Sequence, residues 1–326
     1  MSTRLPAVTV VGSINLDIIA TTDRLPTAGE TIGSGVLSQQ PGGKGANQAV
    51  AAARLGGTAR MIGAVGSDSQ GGVMLSALSS AGVDVSEVAV LDGAATGTAL
   101  IVVDHDGENQ IVVCPGANSG FALDGVSFAP EETVLCQLEV GLPVVLEVAR
   151  RASGFFVLNA APAMDLPAEL LERCDLVIVN ETEYELIPAL SGAKLVAVTY
   201  GAAGSAMFEH GVRVAEAPSV SVTVANTIGA GDAFCAGLVL ALRSGLSYGD
   251  ALAVANLVGA DAVANPSSQP KLGSLDSYVE RVVSAGVGLA VANLVGADAV
   301  ANPSSQPKLG SLDSYVERVV SAGVGL

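Results

Sequence analysis

The chain has 326 residues, half of them apolar, with 3% aromatic residues, no tryptophan and a formal charge of −17. That size suits one large α/β domain with insertions or two small domains, and a palette of Ala, Val, Leu, Ile and Gly suits a parallel sheet under close-packed helices. The acidity excludes nucleic acid and anionic membrane as partners, which need a basic face, but not a nucleotide held by local donors.

Residues 7–11 are a short apolar run ending in Gly12 and read as a buried strand, followed by SINLD at 13–17. Ligands of open α/β sheets gather beyond the carboxyl ends of strands, so Asn15 and Asp17 are candidates to recognise hydroxyls. An Asx turn accounts for them equally well. Residues 18–37 read as short strands and turns, punctuated by Pro26, Gly29, Gly33 and Gly35. The run PGGKGANQAVAAA at 41–53 puts Gly42 and Gly43 where backbone can approach a ligand, Lys44 and Asn47 as donors, and a helix from Gln48 onward. Its spacing is neither a Walker A motif nor the GxGxxG dinucleotide fingerprint. Lys44 on such a turn is ordinarily solvated, and the paired glycines and asparagine around it favour a ligand role.

Residues 61–65 read as a strand, 71–81 as a helix and 83–90 as a link. Residues 98–103 and 110–114 alternate around the turn DHDGEN at 104–109, a β-hairpin that with 18–37 can form a small separate sheet. Buried strands follow at 134–139, ending on Glu139, and at 155–159, ending on Asn159. Another, at 176–179, precedes NETE at 180–183, where Asn180 and Glu183 suit either a ligand at a strand's end or a helix-capping pattern. Residues 195–199 then lead into YGAAG at 200–204. Strands alternating with helices predict a doubly wound, mostly parallel α/β fold.

The chemistry is placed at VANTIGAGDAFCAG, residues 224–237. Gly229, Ala230 and Gly231 precede Asp232, and a small, apolar run continues as a helix. Unpaired amides at the positive end of such a helix suit a phosphate or a developing oxyanion. A carboxylate there can accept the proton of a hydroxyl attacking phosphate, or merely cap the helix. Farther on, residues 252–288 recur without a change as 289–325, a tandem duplication rather than a solenoid. The first copy is expected to take the structural positions and the second to dangle or pack as extra helix.

The four cysteines, Cys114, Cys136, Cys174 and Cys235, are scattered without metal spacing and read as reduced thiols of a cytoplasmic protein. Only His105 and His210 occur, which disfavours a histidine triad or a His-rich metal site. No segment has the form of a signal peptide or a membrane span.

GSINLD at 12–17, GGKGANQA at 42–49, QLE at 137–139, NETE at 180–183 and GAGD at 229–232, in that order, resemble the PfkB family of carbohydrate kinases. The resemblance runs from about residue 8 to 283, and GGKGAN is closer to the family's ribokinases than to its fructokinases or nucleoside kinases. It implies a ribokinase-like kinase domain over residues 1–288, with a β lid from about 18–37 and 98–114 that also makes a homodimer contact. The duplicated tail, 289–326, is then non-essential. The implied reaction is ATP-dependent phosphorylation of D-ribose at its terminal hydroxyl, giving ribose 5-phosphate. The alternatives are a kinase for another small sugar or a nucleoside, or a weakened sugar or nucleotide binder.

By the same resemblance Asp232 is the general base and Gly229, Ala230 and Gly231 form the anion hole. Asn15, Asp17, Gly42, Gly43, Lys44, Asn47 and Glu139 hold sugar hydroxyls. Asn180 and Glu183 lie near magnesium and the phosphates, Thr199, Gly201, Gly204 and Gly231 face the nucleotide, and Asn256 lies beside adenine. Magnesium would ride on phosphates and water. An activating potassium ion would be held by Asn226, Ile228, Ala262, Asn265 and Ser267, largely through carbonyl oxygens. Two departures qualify that picture. Asn226 stands where the family usually has Asp, and Lys271 where ribokinases place another ligand, so its ammonium either partly replaces the ion or is solvated. The second departure is the span 181–194, fourteen residues that leave room for one short helix in the crossover.

Overall fold

In the computed structural model, which describes residues 5–105 and 108–285, the first apolar run becomes β1 (Ala7–Val11), buried after its first residue. The chain then leaves the main sheet for β2 (Asn15–Thr21) and β3 (Val36–Gly42), and returns through α1 (Lys44–Arg54). Next come β4 (Thr58–Gly66), α2 (Ser69–Ser80) and β5 (Asp84–Leu91). Residues 83–90, read from sequence as a link, are thus mostly strand, and β5 pairs parallel to β4. Its one exposed flank hides it from a hydrophobic pattern, since an edge strand needs no continuous apolar run.

The predicted hairpin is β6 (Gly97–Val103) with β7 (Asn109–Cys114), paired antiparallel. The core resumes with β8 (Thr133–Gln137), α3 (Leu142–Arg151), β9 (Phe155–Asn159), α4 (Ala168–Arg173) and β10 (Leu176–Asn180). β8 stops two residues short of Glu139, and a 3-10 turn over Leu138–Val140 lifts that carboxylate off the sheet's end. The short crossover holds α5 (Glu181–Leu186) and one 3-10 turn, Pro188–Gly192. After β11 (Leu195–Thr199) an unforeseen hairpin follows, β12 (Ser205–Glu209) and β13 (Val212–Ala217), around a two-residue turn in which His210 has φ 48°. Two-residue turns that favour left-handed backbone are the standard hairpin closure. Helices α6 (Ala230–Arg243) and α7 (Tyr248–Val263) pack on each other, and α6 also packs on α1.

Among the described residues the large sheet has nine strands in the order β13-β12-β11-β10-β9-β8-β1-β4-β5. All its pairings are parallel except those of β12. β1 sits between β4 and β8, so the strand order reverses there and a crevice opens beyond their carboxyl ends. A separate sheet, β3-β2-β6-β7, is fed by the chain leaving β1. The chain divides into units 1–279 and 280–326. In the latter, residues 280–285 are helical. The first duplicated copy supplies most of α7, whereas the second copy and the proposed status of the tail lie outside the described residues.

Candidate active site

The crevice holds a cavity of about 330 Å³ lined by Asn15, Asp17, Gly43, Lys44, Asn47, Glu139 and Asp232, among others. Three chain segments that are far apart in sequence meet here because each follows a strand, β1 and β8 of the large sheet and β3 of the small one. β2 continues from β1, α1 follows β3, and Glu139 follows β8. Alternation along β2 turns Asp17 and Ile19 toward the same face as Ala99 and Ile101 of β6, their register partners. Ile111 and Val113 of β7 complete that face of the small sheet, and Ile228, from the loop before α6, packs against it.

Asp232 lies in the first turn of α6, but it does not cap the helix. The position before the helix is Gly229, with φ 82°, and no side chain bonds the helix amides. A side chain at residue 229 would run into the Ser268 carbonyl as well as strain the backbone. The buried Asp232 carboxylate instead accepts from Asn47 Nδ2 at 3.1 Å and from Gln48 Nε2 at 2.9 Å. At the α6 mouth the amide of Ala230 reaches the Thr227 carbonyl at 3.5 Å, and those of Gly231 and Asp232 are left for a ligand.

Asn15 and Asp17 form no Asx turn. Both are strand residues, and Asn15 Oδ1 accepts from Asn118 Nδ2 at 2.7 Å. Gly42 sits so close to Asp17 that any side chain there would meet the carboxylate. Gly43, at φ 87°, starts α1 and lets the backbone pass the Asn15 amide, which a β-carbon would approach to 2.7 Å. The α1 amide of Lys44 donates to Glu139 Oε2 at 3.3 Å, and Ser13 Oγ donates to the same oxygen. Four carboxylates, Asp17, Glu139, Glu183 and Asp232, and one ammonium therefore line the cavity.

Burial, then Glu139, then Asp232 push the Asp17 carboxyl up to about 7. Asp232 is also raised, by burial first, against the opposing pull of Lys44, Gln48 and Asn47. Burial alone would lower the Lys44 ammonium, but Asp232, Glu139 and Glu183 outweigh it and hold Lys44 above its ordinary value. For Asp17 the folded state binds its proton more tightly than the unfolded chain, whose ordinary value is 3.8. Its stabilising contribution is complete below about pH 4 and is lost as pH rises to about 7. Asp17→Asn is therefore expected to melt at a higher temperature than the parent at pH 8, by at most about 4 kcal/mol of stability, with the gap closing by pH 4. Thermal melts across that range check the sign.

A second cavity, of about 430 Å³, adjoins the first and shares Thr199, Thr227, Gly231 and Phe234 with it. Gly201, Gly204, Ala230, Val220, Val222, Val263 and Asn256 also line it. Asn256 spends its polar atoms on the protein. Its oxygen accepts from Ser205 Oγ at 2.9 Å, and its amide donates to the carbonyls of Ala217 and Pro218. It thus pins the start of the cavity's far wall. Asn180 and Glu183 form a capping box for α5, as one reading of NETE expects, and both also line the first cavity.

Asn226, Ile228, Asn265 and Ser267 fall on two adjoining loops, and Ala262 lies in the last turn of α7. Asn226 Nδ2 donates to the Pro266 carbonyl at 3.0 Å, and Asn226 Oδ1 accepts from the Ile228 amide at 2.9 Å. The side-chain oxygens of Asn226, Asn265 and Ser267 are already engaged and none carries a charge, a poor fit to a cation site. Lys271 is exposed and forms no ion pair among the described residues. No group of three or more His, Cys, Asp or Glu side chains that could hold a metal occurs among the described residues.

Several buried polar residues around the site were given no role by the sequence, although Gln48 and Gln137 lie within its GGKGANQA and QLE motifs. Gln48 and Gln269 are buried in a helix and a loop, and Gln137 and Asn118 in a strand and a 3-10 turn. A buried amide and a solvated one look alike in a sequence, and the partners here lie 89 or more residues away.

The sequence profile described as pfkB family carbohydrate kinase matches residues 6–273. The ribokinase of Haemophilus influenzae is 32% identical over 298 aligned residues, covering 83% of this chain and 97% of its own. That of Bacillus subtilis is 34% identical over 276, covering 80% and 94%. A solved structure of Arabidopsis thaliana ribokinase, complexed with ribose and ATP, matches the fold with a TM-score of 0.74 at 28% identity, over 86% of this chain and 99% of that one.

Proposed function

The chain belongs to the pfkB family of carbohydrate kinases, and we propose that its cleft transfers the γ-phosphoryl group of ATP to the terminal hydroxyl of D-ribose, giving ribose 5-phosphate. One observation carries the reading. Asp17, Lys44, Glu139 and Asp232 converge in a cavity that shares a wall, at the mouth of α6, with a second and more apolar cavity. The sugar occupies the first and the nucleotide the second. Asp17 and Glu139 accept from sugar hydroxyls, while Asn15, Asn47 and Lys44 donate to them. Asp232 takes the proton of the attacking hydroxyl, and the amides of Gly229, Ala230 and Gly231 face the charge of the migrating phosphoryl group.

The second cavity suits a nucleotide, because its glycines and small residues let a flat base lie against backbone. Magnesium needs no protein cage, since it keeps phosphate oxygens and water as ligands, and Asn180 and Glu183 would meet its water shell while it neutralises phosphate charge. Incubating the protein with ATP and a panel of ribose, deoxyribose, fructose and nucleosides tests the reading through ADP release and product mass. Turnover of a nucleoside with none of ribose overturns it.

Potassium activation is expected to be weak, because Asn226 supplies no carboxylate and its oxygen is taken. Rates in potassium chloride against choline chloride at matched ionic strength check this, with Asn226→Asp strengthening the response. Strong activation of the unchanged protein refutes it. The four cysteines are free, in keeping with a reducing cytoplasm, where we place the reaction, and no described helix is long and apolar enough to cross a membrane. The small sheet acts as the lid. Its other face exposes Leu100 and Val112, which we assign to a homodimer contact.

A further inference from the structure

We infer that Gln48 and Gln269 are positioning residues of this site, each fixing one oxygen of the Asp232 carboxylate through a relay of buried amides. The inference rests on the reading of Asp232 as the base. On one side Gln48 Nε2 donates to Asp232 Oδ1 at 2.9 Å and to Asn159 Oδ1 at 3.0 Å, while Gln48 Oε1 accepts from Gln137 Nε2 at 2.5 Å. On the other side Asn47 Nδ2 donates to Asp232 Oδ2 at 3.1 Å, and Asn47 Oδ1 accepts from Gln269 Nε2 at 3.2 Å.

The outer members of these relays decide which way the inner ones face. A side-chain amide has a donor end and an acceptor end of nearly equal shape. Turned over, either Asn47 or Gln48 would present a carbonyl to the carboxylate and repel it. Gln269 disfavours that flip at Asn47 by presenting N–H to its oxygen. At Gln48 the same is done by Asn159, whose own amide donates to the Ile178 carbonyl at 3.1 Å and so turns Oδ1 toward the Gln48 N–H. Each carboxylate oxygen keeps a second lone pair, so the clamp leaves an acceptor for the sugar's proton. Loop residues 266–270 are anchored well enough to serve as one jaw. Ser268 Oγ donates to the Pro41 carbonyl at 2.7 Å, and Arg54 donates to the carbonyls of Gln269 and Pro270.

The clamp also has an electrostatic task. Lys44, Glu139, Asp17 and the Cys235 thiol are the charged or titratable groups facing Asp232. Burial first, and Glu139 after it, disfavour the ionised carboxylate, while Lys44 and the amides of Gln48 and Asn47 favour it. Removing one relay should raise the pH at which the base becomes available, and neither glutamine itself lines the sugar or the nucleotide cavity.

Gln48→Leu and Gln269→Met in the full chain test this, with kcat, KM for ribose and ATP, and the pH profile of kcat as readouts. Each variant is expected to lose about tenfold in kcat and to shift the acid limb up by about one pH unit, with both KM values little changed. Gln48→Leu strands Gln137 and Asn159, so if it fails to fold, Gln269→Met decides alone. A folded variant with unchanged kcat and an unmoved limb overturns the clamp, as does a loss confined to KM or to melting temperature. Asp232→Asn is measured alongside. Should it retain full turnover, the base assignment has failed. Should it be inactive while the glutamine variants behave as the parent, only the clamp has failed.

Discussion

Asp232→Asn is expected to lower turnover of ribose by about a hundredfold or more, the scale of a lost general base. The substitution keeps the size of the side chain, and because Asp232 does not cap α6, the helix should survive it. What changes is the proton acceptor. An amide in that place cannot take the hydroxyl's proton, although the α6 amides would still face the phosphoryl group. KM for ribose and ATP should therefore move far less than kcat. Burying a neutral group favours the variant's fold, while its Nδ2, turned to the Asn47 or Gln48 amide, loses one hydrogen bond and offsets that gain. Steady-state rates with a matched melting curve check both halves. Turnover near that of the parent would place the base elsewhere.

The second large effect is expected at Asp17. Asp17→Ala removes a charged acceptor for sugar hydroxyls, and hydrogen bonds to charged groups contribute about 1.5–3 kcal/mol each. KM for ribose should rise on the order of a hundredfold, with KM for ATP little altered, because the second cavity contains no β2 residue. The same variant should discriminate less between ribose and a sugar lacking the hydroxyl that Asp17 receives, since a site built for a hydroxyl rejects its absence. Parallel titrations of the two sugars measure both effects. A rise in the KM for ATP of equal size would show that Asp17 shapes the cleft rather than contacting sugar.

The main sheet was readable because its central strands are short, continuous apolar runs closed by glycine or asparagine. Burial on both faces writes itself into such segments as β1 and β10. β5 and β13 escaped because they are edge strands whose exposed residues dilute the pattern, and β12, the short partner of β13, escaped with it. The GAGD turn pointed to a helix mouth, yet sequence alone could not separate a capping Asp232 from a ligand-facing one. Separating them takes the Asn47 and Gln48 amides, which belong to a different helix. The same holds for Asp17, whose environment is set by Glu139 and Asp232 across the crevice. Local motifs announce donors and acceptors. Their charge state is a property of what the fold gathers around them.

β2 is joined to β1 by residues 12–14 alone, and it pairs with β3 and β6 rather than with the large sheet. Asp17 consequently travels with the small sheet, whereas Lys44, Glu139 and Asp232 ride on elements of the large one. A sugar that satisfies both parties fastens them together, and one short of a hydroxyl grips only half of the partnership. Choice among sugars would then be exercised as a mechanical condition on assembling the cleft, in addition to any preference in affinity.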